Sequence, residues 1–291
     1  MTDYLDRTID TGDEEFASLY DETSFWSSRF GAFLVDHLEL RRGESVLDVG
    51  CATGFPLFEL ANACGRSSRL VGCDIWTAAI GRAEAKRRRY SRENVSLVCG
   101  DGSSLPFSDA SFDLIVSNLG VNNFADLAKA LRECRRVARP GGRLVVTTNP
   151  RGHMREFYAV FREVLAGFGK PSWVERIDRQ EAHRVSKESL AALFETAGFT
   201  VARAIESSFA IRAIDAAALL DNTLTRIGFL GGWRSVVDDP GERDRQGASA
   251  QKREVEREVF RRLEAALDAS LTTGAGIAVT VPMLYLEGIR R

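Results

Sequence analysis

From Gly43 onward, short runs of β-branched and aliphatic residues alternate with longer stretches of helical periodicity, and few architectures accept that order. The runs are Ser45–Gly50, Arg69–Asp74, Val95–Cys99, Asp113–Asn118 and Arg143–Thr148. They are nearly continuous in apolar residues rather than alternating, as strands of a parallel sheet covered on both faces must be. Helices are expected between them at Phe55–Ala63, Thr77–Arg89 and Asp126–Val137. Pro140-Gly141-Gly142 is expected to break the last of these and turn into the fifth strand.

The pattern extends to both ends. The first forty residues read as helical, with Phe25, Phe30, Phe33, Leu34 and Leu38 roughly on one face. Further helices are expected at Gly152–Gly167 and, opened by Ser186 as N-cap, at Lys187–Ala197. Phe199–Ile205 and Ile277–Leu286 read as a sixth and a seventh strand. Between them lie helical material at Ile214–Leu230, a polar loop at Asp238–Gln251 and an amphipathic helix at Arg253–Leu271. The fold class is therefore α/β, a seven-stranded, doubly wound, mostly parallel sheet with N-terminal helices and a helical insertion between the last two strands. The expected organisation is a helical lid over 1–42, a ligand-binding core over 43–209, an insertion capping the acceptor side over 210–273, and a final core strand over 274–291. At this size the insertion belongs to one domain, being too short to bury a core of its own.

The 291 residues carry a formal net charge of -2, which leaves no basic footprint for nucleic acid. Five cysteines form no CxxC pair and no metal-ligand spacing, and an odd count inside apolar runs reads as reduced, buried thiols. The acidic start, Met1-Thr2-Asp3-Tyr4-Leu5-Asp6, lacks the basic-then-apolar order of a signal peptide. No apolar run approaches the roughly 20 residues that span a bilayer. A soluble, cytoplasmic protein with neither membrane nor nucleic-acid partner is expected.

Chemistry concentrates in Val46-Leu47-Asp48-Val49-Gly50-Cys51-Ala52-Thr53-Gly54, a strand entering a Gly-rich turn ahead of a helix. Small residues at 50, 52 and 54 let backbone approach a ligand closely, at the strand end where doubly wound sheets bind theirs. A nicotinamide dinucleotide site is the competitor. Its G-x-G-x-x-G fingerprint is broken here by Ala52 and Phe55, and Asp48 suits a cationic amine better than phosphates.

These residues resemble the class I (Rossmann-like) S-adenosylmethionine-dependent methyltransferases, in their small-molecule branch, over roughly Asp21 to Thr148. The resemblance implies that Asp48, Gly50, Cys51, Ala52 and Gly54 cradle the methionine part of the cofactor. It implies that Asp74, closing the second strand and followed by Ile75 and Trp76, accepts the ribose hydroxyls. Asp101, between Gly100 and Gly102, receives the adenine amino group, and Asn118 with Leu119 passes beside the sulfonium methyl. Chemistry agrees in part: one carboxylate can accept both hydroxyls of a ribose, and a sulfonium suits aromatic faces and carbonyls. Each residue also has a plain structural reading. Asp48 can order its turn, Asp101-Gly102 is an ordinary turn pair, Trp76 can pack on the sheet, and Lys86-Arg87-Arg88-Arg89 reads as a solvated helix face.

The motifs exclude as well. Ser117-Asn118-Leu119-Gly120 lacks the Asn/Asp-Pro-Pro-aromatic pattern of amine-directed DNA enzymes, and there is no Pro-Cys nucleophile. The reading is methyl transfer to a small-molecule acceptor through an O, N or C nucleophile by in-line displacement, with S-adenosylhomocysteine as product and no metal. His153, just after the fifth strand, is the candidate general base, against a helix-start histidine satisfied by backbone. Tyr20, Trp26, Asn122, Asn123, Arg155 and Tyr158 are assigned to the acceptor pocket. The rivals are an inactive cofactor-binding regulatory module and non-methyl chemistry with the same cofactor.

Overall fold

The computed structural model describes residues 3–6, 12–238, 248–271 and 273–291. Seven strands form one sheet: β1 Ser45–Val49, β2 Arg69–Asp74, β3 Val95–Cys99, β4 Phe112–Asn118, β5 Ala138–Thr148, β6 Phe199–Ala213 and β7 Ile277–Arg290. Their order is β3-β2-β1-β4-β5-β7-β6. β1 to β5 pair in parallel and β7 runs antiparallel to β5. The sheet is the expected doubly wound, mostly parallel one, with its last hairpin-like pair carrying the insertion.

Four helices follow or precede the first strands: α1 Asp13–Glu22, α2 Phe25–His37, α3 Leu57–Cys64 and α4 Thr77–Arg89. Then come α5 Leu127–Val137, α6 Arg155–Ala166, α7 Pro171–Ala182 and α8 Lys187–Thr196. Shorter helical turns fill 216–235 before the long α12 at Ala248–Leu271, so α9 is Ala216–Asp221, α10 Thr223–Thr225 and α11 Gly231–Ser235. Ser186 caps α8 as expected, in a reciprocal pair with Ser189. Asp126 caps α5 by accepting from the Lys129 N–H at 2.8 Å.

The chain divides into two compact units. The larger takes 11–150, 185–207 and 283–291, and holds the sheet core. There Leu47, Val71, Ile115, Leu144 and Leu286 are at most 4% exposed and pack with Leu131, Val137 and Phe194 of the covering helices. The smaller takes 1–10, 151–184 and 208–282. In it α6 packs on α7 and α12, burying Phe157, Phe161, Trp173, Phe260 and Leu263. Segment 151–184, expected within the core span 43–209, therefore belongs to the insertion's unit. The apolar face of α6 meets helices distant in sequence, and no local signal announces such a pairing.

Several boundaries differ for physical reasons. Helix α6 begins at Arg155 and not Gly152, because Gly152 and Met154 are left-handed (φ 86° and 51°). Pro140-Gly141-Gly142 does not separate helix from strand. Ala138 already pairs with Phe112, and the proline-glycine stretch bulges out of β5, with Gly141 at φ 73°, before pairing resumes at Arg143. α7 lies outside the helices expected from the sequence, although Pro171 at its first turn and Trp173 with Ile177 on one face are its signals. β6 and β7 run further than expected. The polar loop expected over Asp238–Gln251 falls, for 239–247, outside the described residues, and α12 starts five residues earlier than expected.

Candidate functional site

The register of the sheet gathers its turns. Asp48 of β1 pairs with Gly72 of β2 and Val116 of β4, so these strands end level and their following turns converge. Between the turns after β1, β2, β3 and β4 lies a cavity of about 390 Å³, within the usual range for small-molecule sites.

The turn after β1 is bent by Gly50 at φ 79°, whose N–H bonds the Cys73 carbonyl at 2.8 Å. A methyl on Gly50 would stand 3.1 Å from the Gly120 backbone, so the turns after β1 and β4 touch. Ala52 is also left-handed (φ 44°), and its N–H is held at 2.8 Å by Asp74 Oδ2. The other oxygen, Asp74 Oδ1, accepts from the Trp76 N–H at 2.8 Å. One carboxylate therefore ties the first two turns together while itself lining the cavity. After β3, Asp101 Oδ1 accepts from the Ser103 N–H at 2.8 Å in a tight turn. After β4, Leu119 stands at φ 64°, a strained conformation for leucine that costs about 1–2 kcal/mol. Asn118 beside it accepts from Thr147 Oγ1 at 2.7 Å and donates to the Ser27 carbonyl at 3.2 Å.

Ten of the thirteen residues expected to bind cofactor line this cavity: Gly50, Ala52, Asp74, Ile75, Trp76, Gly100, Asp101, Gly102, Asn118 and Leu119. Asp48, Cys51 and Gly54 lie behind it. Asp48 is fully buried, and its carboxylate oxygens make no hydrogen bond within 3.5 Å among the described residues, although the Leu57 backbone N–H at the start of α3 faces it. Burial first, and the Asp74 charge second, push its carboxyl up to about 8, slightly opposed by that N–H. Gly54 is required by packing, since a methyl there would run into the Phe58 ring at 2.3 Å.

Of the residues assigned to the acceptor, Tyr20 and Asn123 line the same cavity. Trp26 packs on Phe30 with ring centroids 5.4 Å apart. Asn122 is committed to neighbours, donating to Asn149 at 2.8 Å and accepting from Thr148. His153, Arg155 and Tyr158 belong to the smaller unit. There the His153 ring is 1% exposed, lies 5.3 Å from Phe229, and is held by burial well below ordinary imidazole basicity. Tyr158 accepts from Trp233 Nε1 at 3.3 Å, and Arg155 is exposed beside Glu156.

Two features were missed. Phe124 lines the cavity, and its ring occupies the space beside Gly50, Gly102 and Gly120. Glycines in the turns after β1, β3 and β4 were the available signal that something large fills the gap. The second is a latch on α1. Asp21 accepts from Thr53 Oγ1 and Arg82 Nε, both at 2.9 Å, and from Lys86 Nζ, which also donates to the Thr53 carbonyl at 3.1 Å. Lys86 is therefore not part of a solvated face, though Arg87 and Arg88 are, paired with Glu84. Cys99 likewise is exposed, not buried as expected.

Residues 47–146 match the family model described as a methyltransferase domain. A demethylmenaquinone methyltransferase of Anoxybacillus flavithermus is 33% identical over 186 residues, covering 61% of this chain and 78% of the relative. The chain belongs to the class I S-adenosylmethionine-dependent methyltransferases. It is an enzyme of that family, and its cofactor is S-adenosylmethionine. Solved structures agree on the fold. The YcgJ protein of Bacillus subtilis superposes with a TM-score of 0.58 at 19% identity, covering 91% of this methyltransferase and 99% of that chain. A SAM dependent methyltransferase from Aquifex aeolicus gives 0.52 at 21% identity, over 67% and 93%.

The cavity fits the cofactor by its donor set: a buried carboxyl without hydrogen-bond partner beneath the first turn, and two carboxylates facing the space. Among the described residues of the methyltransferase, no helix is long and apolar enough to cross a membrane, and no group of three or more His, Cys, Asp or Glu is placed to hold a metal ion.

Proposed function

We propose that this methyltransferase methylates a small-molecule acceptor by in-line displacement, with its cofactor seated in the cavity at the ends of β1 to β4. The observation that carries the seating is the convergence of four consecutive post-strand turns, each bringing a residue of the expected kind to one space. S-adenosylmethionine supplies an activated methyl group on a sulfonium. The protein binds and orients.

Asp74 holds the ribose hydroxyls. Each of its oxygens accepts one backbone N–H and keeps a lone pair for a ligand donor. Asp101 uses Oδ1 for its own turn and offers Oδ2 to the adenine amino group. Ile75 and Trp76 flank the adenosine, while Asp48, Gly50, Cys51, Ala52 and Gly54 shape the seat of the methionine part. Asn118 and Leu119, held by Thr147 and by the bond from the Leu119 N–H to the Thr147 carbonyl, face the reacting carbon. On the acceptor side we place Tyr20, Trp26, Asn122 and Asn123, with α1 and its Tyr20 as a lid. Arg155 and Tyr158 keep an acceptor role on sequence position alone. His153 is better explained as a packing residue, since an imidazole buried against Phe229 and of lowered basicity takes up a proton poorly.

The relative's name supports a quinone-type acceptor. The test incubates the full-length enzyme with methyl-labelled S-adenosylmethionine and either reduced demethylmenaquinone or a bacterial small-molecule extract. Label in a small molecule, matched by S-adenosylhomocysteine release, is expected, and His153→Gln should keep turnover within about tenfold of wild type, below the range of a lost general base. Label confined to protein or nucleic acid, or cofactor binding without turnover on either acceptor source, would overturn the proposal.

A further inference from the structure

Beyond the cavity wall, one arginine on α5 uses every donor it has, three on a single loop and two on its helix neighbour Glu133. Arg136 has five N–H groups and makes five bonds. Nη2 donates to the Leu105 carbonyl at 2.9 Å and Nη1 to the Phe107 carbonyl at 2.7 Å. Nη1 also reaches Asp109 at 2.8 Å, while Nε and Nη2 grip Glu133 at 2.9 and 2.8 Å. Glu133 completes the arrangement by accepting from the Leu105 N–H at 2.9 Å. Both backbone polar groups of Leu105 are thus held by one ion pair, 28 and 31 residues away in sequence.

This loop is the one that follows β3 and begins with Asp101. Its near half has little slack. Ser103 and Ser104 N–H groups fold back on Asp101, Pro106 closes over Gly100, and a methyl on Gly102 would stand 3.0 Å from the Phe124 ring. Leu105 is 4% exposed and anchors the loop in the core. With the far half pinned at 105, 107 and 109, the turn carrying Asp101 has one place to be.

We infer that Arg136, through its clamp with Glu133 on the 105–109 loop, is a positioning residue that sets specificity for adenine over other purine bases. The inference rests on the reading that the cavity holds S-adenosylmethionine with Asp101 facing the adenine amino group. A fixed carboxylate accepts from a 6-amino group and repels a 6-oxo group. Asp101 is exposed, so its discrimination depends on being held in place: on a loose loop the carboxylate turns away to solvent and discriminates little. Lysine is no substitute, since its single ammonium cannot span two carbonyls and two carboxylates in one plane.

The experiment measures, by calorimetry on the full-length protein, the affinity for S-adenosylhomocysteine and for its deaminated analogue S-inosylhomocysteine. Wild type should prefer the adenine ligand by at least about 30-fold, a rejection of the size a misplaced polar group produces. Arg136→Ala should lower that ratio by about tenfold or more, through weaker binding of the adenine ligand with the analogue changed less than about threefold. Arg136→Lys should recover only part of the ratio. Glu133→Gln, which keeps the side-chain shape and removes half the ion pair, should move the ratio in the same direction and serves if Arg136→Ala does not fold. Equal loss for both ligands with the ratio intact, in whichever of these variants folds, would show a structural brace only and overturn the proposal. A wild type that binds both ligands alike would overturn it too, and a wild type that binds neither would remove the cofactor reading beneath it.

Discussion

A carboxyl group buried inside a parallel sheet must find a partner or keep its proton. Asp48 is in that position, and burial raises it to about 8 from an ordinary 3.8. The folded state then binds a proton that the unfolded chain has released, so this residue's contribution to stability is complete below pH 3.8 and is lost as pH rises towards 8. Asp48→Asn should cancel that slope. Its stability relative to wild type, measured by denaturant unfolding without ligand, should improve steadily from about pH 5 to pH 9. Parallel pH profiles would mean that Asp48 is ionised in the folded protein. The sequence shows this aspartate and its strand, and the chemistry of a cationic ligand follows from it. Its complete burial was not legible, because that depends on α3 and on the neighbouring strands closing around it. Leu119 teaches the same lesson, since nothing in Ser117-Asn118-Leu119-Gly120 announces that the leucine and not the glycine takes the left-handed turn.

At the scale of elements, α1 is held over the turns after β1 and β2 at both ends. Near its start, Asp13 accepts from Trp76 Nε1 at 2.7 Å, and Phe16 and Tyr20 pack on the Trp76 ring at 5.7 and 5.6 Å. Near its end, Asp21 gathers Thr53, Arg82 and Lys86. Both the Gly-rich turn after β1 and the turn after β2 are thereby closed by one short helix. Asp21→Asn keeps the shape and removes the charge, at a loss of about 1–2 kcal/mol given that the group is only partly buried. Dissociation of S-adenosylhomocysteine, followed by displacement, should quicken by about five- to thirtyfold. An unchanged rate would make α1 a passive cover. Helical periodicity assigned the faces of α1 and α4 but not their meeting. The ion pair joins residues 65 apart, so Lys86 looked like its neighbours Arg87 and Arg88. Elements whose core runs are local, such as β1, β2 and β4, were legible almost to the residue, whereas the bulge in β5 and the length of β6 depend on partners that the sequence does not display.

For the whole molecule, the decisive fact is that every residue lining the cavity lies in the larger unit, on the carboxyl side of four adjacent parallel strands. That arrangement was readable because each of the first three strands runs into an acid or a glycine at its turn: Gly50, Asp74, and Gly100 with Asp101. The partition into two units was not, because it is set by the packing of α6 on α7 and α12. The central claim is that this cavity holds S-adenosylmethionine through Asp74. Calorimetric titration of the cofactor into wild type and into Asp74→Ala tests it directly. Two charge-assisted bonds lost, less partial replacement by water, amount to about 2–4 kcal/mol, or about 30- to 1,000-fold in affinity. The account predicts measurable binding by wild type and a loss of that size in the variant. Equal affinity in the two proteins would contradict it.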